Sequence, residues 1–261
     1  MKKVILFAVA ASLISCEFSL NREDDQTDIN YPTTIHRLPE KALLQKRNDF
    51  AQRNPNVYTS LNHFGFCDML DPGGGNGSPG GFTEEEAIAA VMEFVKRNPE
   101  YTGVSNPNDL KFKTINSDIG YNNAVFWFFR TEYQIINKIE VVYSEILFHT
   151  QTSSLISCYG NHFPKVYVPE KFNFDVERAK SQLLGREAFH YTIAGEKYSF
   201  GKVKAQHLQE CLANLIIVPI RTEEKIELRV AWQINVDTMH YIYCIDVMTG
   251  EIIQETPTII S

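Results

Sequence analysis

The chain has 261 residues, 44% hydrophobic and 22% charged, so it can fill one large or two small cores and is not disordered throughout. Its net charge is −7, and Lys and Arg never cluster beyond pairs. Without that electrostatic footprint a nucleic-acid partner is not expected.

Residues 1–16 read as an address. Lys2 and Lys3 precede an apolar run over 4–13 that is too short to span a bilayer, and Leu13-Ile14-Ser15-Cys16 follows. This order resembles the lipobox of bacterial lipoprotein signal peptides, which implies acylation of Cys16. The alternative is an uncleaved signal anchor with an incidental Cys. Acyl chains contribute about 0.8 kcal/mol per buried methylene, so two or three of them hold a folded domain on a membrane. Residues 17–38 are polar, with Glu23-Asp24-Asp25 at their centre, and read as a tether. The acidic run is also similar to export signals of Bacteroidota surface lipoproteins, which implies an outer-membrane location in the cell envelope.

Residues 39–70 form an N-terminal segment in which Pro39 opens a short surface helix. The Gly-rich run over 71–81 lacks the Gly-Lys-Ser/Thr of a phosphate loop and the spaced Asp residues of a calcium loop, and reads as a linker. Thr83 and Glu86 form a capping box, and Ile88, Val91, Met92 and Val95 follow at helical spacing. Asn98-Pro99 ends that helix. The period then changes to strands: 110–115, an aromatic run over 124–134, 140–150 and 155–160.

A second unit repeats the order. Asp175 caps a helix bearing Val176, Ala179 and Leu183, with Gly185 past its end, and 186–211 is a mixed insertion. A strand over 212–220 leads to 226–237, where Ile226, Leu228, Val230, Trp232, Ile234 and Val236 alternate with mostly polar residues. The run 241–247 and Ile252-Ile253 flank a turn at Gly250, giving a hairpin. The expected fold is therefore α+β: units over 82–165 and 166–261, each one helix on an antiparallel sheet.

These residues resemble a known layout. Thr83-Glu84-Glu85-Glu86-Ala87-Ile88, the run Phe129-Arg130-Thr131-Glu132-Tyr133-Gln134 and Glu145-Ile146-Leu147-Phe148 are similar to the fungalysin/thermolysin propeptide motif. The stretch 228–234 with the hairpin Tyr243-Cys244-Ile245-Asp246-Val247-Met248-Thr249-Gly250-Glu251-Ile252 resembles the PepSY motif. In this order the two form the propeptide of thermolysin-like metallopeptidases, and the resemblance implies a PepSY/cystatin-like fold. His-Glu-x-x-His does not occur. The resemblance thus implies a free-standing propeptide-like module, not an enzyme, that binds a peptidase as inhibitor or folding modulator.

No other pattern carries chemistry. The seven histidines show no i, i+4 pairing with one another, and Gly-x-Ser-x-Gly is absent, so neither a metal, a cofactor nor a catalytic residue is expected. Cys67, Cys158, Cys211 and Cys244 are either buried thiols or up to two disulfides, with three pairings the sequence does not rank. The run Phe126-Trp127-Phe128-Phe129 is read as a strand covered on both faces. Its alternative, a stacking platform, belongs to a second function: a surface glycan- or peptide-binding accessory lipoprotein.

Overall fold

The computed structural model describes residues 30–69, 83–119, 125–151, 154–191 and 197–258. Cys16, the lipobox, the acidic run and the Gly-rich linker lie outside the described residues.

The N-terminal part holds β1 (Thr33–His36), α1 (Glu40–Arg53), β2 (Thr59–Leu61) and β3 (Cys67–Met69). Next come α2 (Glu84–Arg97), α3 (Pro99–Thr102), β4 (Phe112–Ile119), β5 (Val125–Thr131), β6 (Gln134–Ile136), β7 (Ile139–Val141), β8 (Leu147–Gln151) and β9 (Ser154–Tyr159). The C-terminal part holds α4 (Val176–Ser181), β10 (Glu187–Tyr191), β11 (Lys197–Lys202), α5 (Ala205–Leu208), β12 (Leu212–Arg221), β13 (Lys225–Val236), β14 (Tyr241–Asp246) and β15 (Ile252–Pro257).

Strands β4-β5-β8-β9 form a four-stranded antiparallel sheet in that order. Helix α2 lies against β8 and β9. Its start is fixed as expected: the Thr83 hydroxyl accepts from Glu86 N–H, and the Glu86 carboxylate accepts from Thr83 N–H at 2.8 Å. The buried stripe of α2 is Ala87, Val91, Phe94 and Val95, with Ile88 and Met92 only partly buried. Helix α1 adds Leu43 and Phe50 to the same core, Phe50 meeting Tyr101 edge-on at 4.9 Å.

The larger sheet runs β15-β14-β13-β12-β7-β6, with β1 also paired to β13. Its centre is β13, whose Ile226, Leu228, Val230, Ile234 and Val236 are fully buried on one face. Helix α4 packs on that face, and Trp232 donates to the Phe174 carbonyl at 3.0 Å. The opposite face carries a smaller cluster of Ile216, Val218, Ala231 and Cys244.

Backbone accounting explains what joins this sheet. β12 pairs with β13 along its whole length, but β14 covers only residues 231–236 on the other side. Residues 225–230 need partners of their own. β1 supplies them over 225–228, and the Tyr31 hydroxyl accepts from Val230 N–H at 2.9 Å. Residues 33–36 are therefore sheet, so the tether expected over 17–38 ends earlier. Likewise the strand expected over 140–150 is broken. Its start, β7, pairs in parallel with β12 at Ile216 and Ile217, and the chain turns before β8. The larger sheet is thus mixed rather than purely antiparallel, and it takes strands from both sides of residue 165 because β12 has a free edge there. The expected insertion over 186–211 is the β10–β11 hairpin plus α5. Among the described residues no helix is long and apolar enough to cross a membrane.

Candidate functional site

Alternation along β5 sends Trp127, Phe129 and Thr131 inward and Phe126, Phe128 and Arg130 outward. Phe129 is fully buried in the α2 core, whereas Phe128 is 44% exposed. The expectation that this aromatic strand is covered on both faces is corrected at Phe128: α2 covers one face, and Phe128 stands exposed on the other.

The register builds a row of side chains on that open face. Phe128 stands opposite His149, and Arg130 opposite Leu147, which stands opposite Tyr159. The His149 ring stacks on Phe128 at 4.5 Å and 9° and lies 5.4 Å from Phe126. Leu147 and Tyr159 are 40% and 46% exposed. Partial burial lowers the His149 pKa, so the ring is neutral near pH 7 and the row is aromatic rather than cationic.

A cleft of about 440 Å³ opens at the end of the row, lined by Arg130, Leu147 and Tyr159 and by Asp68, Tyr143 and Arg221 from other segments. Arg130 donates to Glu145 at 2.7 Å, which raises the guanidinium pKa. Tyr143 is 57% exposed, and its hydroxyl accepts from Gln254 at 3.0 Å. Apolar rings with a charged, wet margin are the usual anatomy of a binding patch. Sequence reasoning flagged Phe126 to Phe129 but missed His149, Leu147, Tyr159 and Arg221. Period-two alternation within 147–151 marks the first two, but only strand register places them beside Phe128.

A larger cleft, about 490 Å³, lies elsewhere and is lined by Asp109, Lys111, Glu132, Gln134 and His162. Its polar groups largely serve the chain itself. The Gln134 amide both accepts from Phe163 N–H at 2.8 Å and donates to the Phe163 carbonyl at 2.9 Å, and Asp109 accepts from Asn106 at 3.0 Å. His162 is buried, and desolvation pushes its pKa down to about 4. A pKa depressed below the unfolded value makes the folded state the poorer proton binder. Full stability is therefore present above about pH 6.5 and is lost as pH falls from there towards 4. This group alone removes about 3 kcal/mol over that window. Urea midpoints at pH 7 and pH 4.5 are expected to differ less in His162→Phe than in the parent chain; equal differences would remove His162 from the account.

The structure holds the four non-lipobox cysteines in the reduced form, Cys67, Cys158 and Cys244 buried and Cys211 partly so. Among the described residues no three His, Cys, Asp or Glu side chains converge as a cation would require.

Architecture and site together define a mixed α+β protein, mostly sheet with few helices, that presents an aromatic sheet face. No family model matches the chain, and no curated protein matches it. Among solved structures it is similar to the Bacillus megaterium YpeB C-terminal domain, at 12% identity, over 85% of this chain and 98% of that one, with a TM-score of 0.29. At that score the likeness carries no argument about mechanism.

Proposed function

We propose that the protein is a non-enzymatic, lipid-anchored envelope protein that binds a peptidase as a propeptide-like inhibitor or folding modulator, using the open face of the β4-β5-β8-β9 sheet. The observation that carries this reading is the row in which exposed Phe128, Leu147 and Tyr159 flank the half-buried His149, bounded by Arg130 and Glu145. In this reading 82–165 is a unit resembling the fungalysin/thermolysin propeptide motif and 166–261 a PepSY-like unit. The order of the sequence motifs supports peptidase as the partner class. Cys16 is the acylated residue, and Cys16→Ala is expected to move the protein from the membrane to the soluble fraction; retention on the membrane would rule the anchor out.

The decisive experiment mixes the protein with thermolysin-like metallopeptidases of the same cell, each freed of its own propeptide, and follows peptide hydrolysis and co-elution. Inhibition is expected, weakened roughly tenfold or more by Phe128→Ala with Tyr159→Ala, since exposed aromatic anchors at interfaces each contribute more than about 1 kcal/mol. Inhibition unchanged in the double variant would move the interface off this face. Failure to bind any peptidase, with glycan-array binding that depends on Phe128, would favour the accessory glycan-binding lipoprotein, which rests on the same exposed rings.

A further inference from the structure

We propose that Cys67 and Cys158 close a disulfide that staples the β2–β3 hairpin to β9, the edge of the four-stranded sheet. The hairpin lies against β9, with β3 in extensive contact with it. Thr59 locks the register from one side: its hydroxyl accepts from Cys158 N–H at 2.8 Å and donates to the Cys158 carbonyl at 3.4 Å. Both cysteines sit in one core cluster, with Cys67 1% and Cys158 0% exposed, and the neighbouring Cys67 adds to burial in raising the Cys158 pKa.

The other two cysteines are kept apart. The Cys211 thiol donates to the His207 carbonyl at 2.8 Å and packs with Tyr241, Tyr243 and Ile245 on the α4 side of the larger sheet. Cys244 falls between Tyr243 and Ile245, so its side chain emerges on the opposite face, where it packs with Ile216 and Ala231. Of the pairings open to four cysteines, the fold brings together Cys67 with Cys158 and separates Cys211 from Cys244.

The oxidant is a small-molecule or protein disulfide. One cysteine thiolate attacks it, forming a mixed disulfide and releasing one thiolate. The second cysteine thiolate then attacks the protein sulfur and releases the other. The cysteine pair loses two electrons and two protons, and the oxidant leaves as two thiols. Both sulfurs are shut away from solvent in the folded chain, and burial raises the Cys158 pKa, so exchange belongs to the folding stage. Inside the cell the supply of oxidant rests on the envelope location proposed above; the pairing itself does not.

The test refolds the reduced, urea-unfolded full chain in a glutathione redox buffer, alkylates the remaining thiols and maps the peptides by mass spectrometry without reduction. One cross-linked pair, Cys67 with Cys158, is expected, with Cys211 and Cys244 alkylated. Reduction should lower Tm by roughly 5–10 °C, because a bridge closing a loop of about 90 residues restricts the unfolded chain strongly. Cys211→Ser with Cys244→Ser should keep that drop, and Cys67→Ala with Cys158→Ala should lack it. Four alkylated cysteines, or a bridge to Cys211 or Cys244, overturns the proposal. A bridge after refolding, with both thiols free in material taken from native envelopes, supports the pairing and sinks the location.

Discussion

Asp246→Ala is expected to destabilise the protein by about 3–5 kcal/mol, read from urea midpoints at pH 7. Asp246 is fully buried at the end of β14. One carboxylate oxygen accepts from Met248 and Thr249 N–H at 2.8 and 2.9 Å, which shapes the turn ahead of Gly250. The other accepts from the Tyr31 hydroxyl at 2.8 Å and lies 3.6 Å from Arg229. That same hydroxyl satisfies Val230 N–H where β13 runs out of strand partners. One side chain therefore closes the hairpin and fastens the N-terminal segment to the centre of the sheet. Removal leaves two N–H groups without their acceptor in a partly buried turn and takes one of three anions from Arg229, which keeps Glu227 and Glu251. Asp246→Asn is expected to lose less, about 1–3 kcal/mol, because its amide oxygen still accepts from the turn. A loss under about 1 kcal/mol for the alanine variant would mean that the hairpin and the N-terminal segment hold without this carboxylate.

Gly103→Ala should match that loss, at about 3–5 kcal/mol, for a steric rather than an electrostatic reason. Gly103 ends α3 with φ +71°, in the left-handed region that disfavours a side chain. A Cβ there would also stand 1.9 Å from the His162 carbonyl oxygen, which is backbone and cannot swing away. His162 N–H donates to the Thr102 carbonyl at 2.8 Å, so the two segments are tied where the methyl would intrude. Gly185 separates the two effects. Its φ is +79°, but a Cβ there meets nothing within 4 Å. Gly185→Ala should therefore show the conformational penalty alone, about 1–2 kcal/mol. Equal losses at the two glycines, compared by thermal or urea unfolding, would show that the approach to His162 relaxes at little cost.

Local order was legible along the chain. The Thr83–Glu86 capping box, the Asp175 cap, the alternation of β13 and the turn at Gly250 depend on neighbours within a few residues, and period and capping chemistry report such neighbours directly. The α+β class follows from them. The aromatic run was equally visible, but alternation says only that Phe126 and Phe128 share one face and Trp127 and Phe129 the other. Whether a layer covers each face depends on packing partners far away in sequence.

The chain by itself thus determined the starts of α2 and α4, the alternation of β13 and the turn at Gly250. Tertiary structure decided the remainder. It recruited residues 33–36 and 139–141 into the larger sheet, because β13 and β12 had backbone groups that only distant strands could satisfy. It left one face of β5 open, since α2 and the N-terminal segment pack on the other. It also set Cys67 beside Cys158 while parting Cys211 from Cys244, a choice made by strand register and sheet face, to which spacing along the sequence is blind.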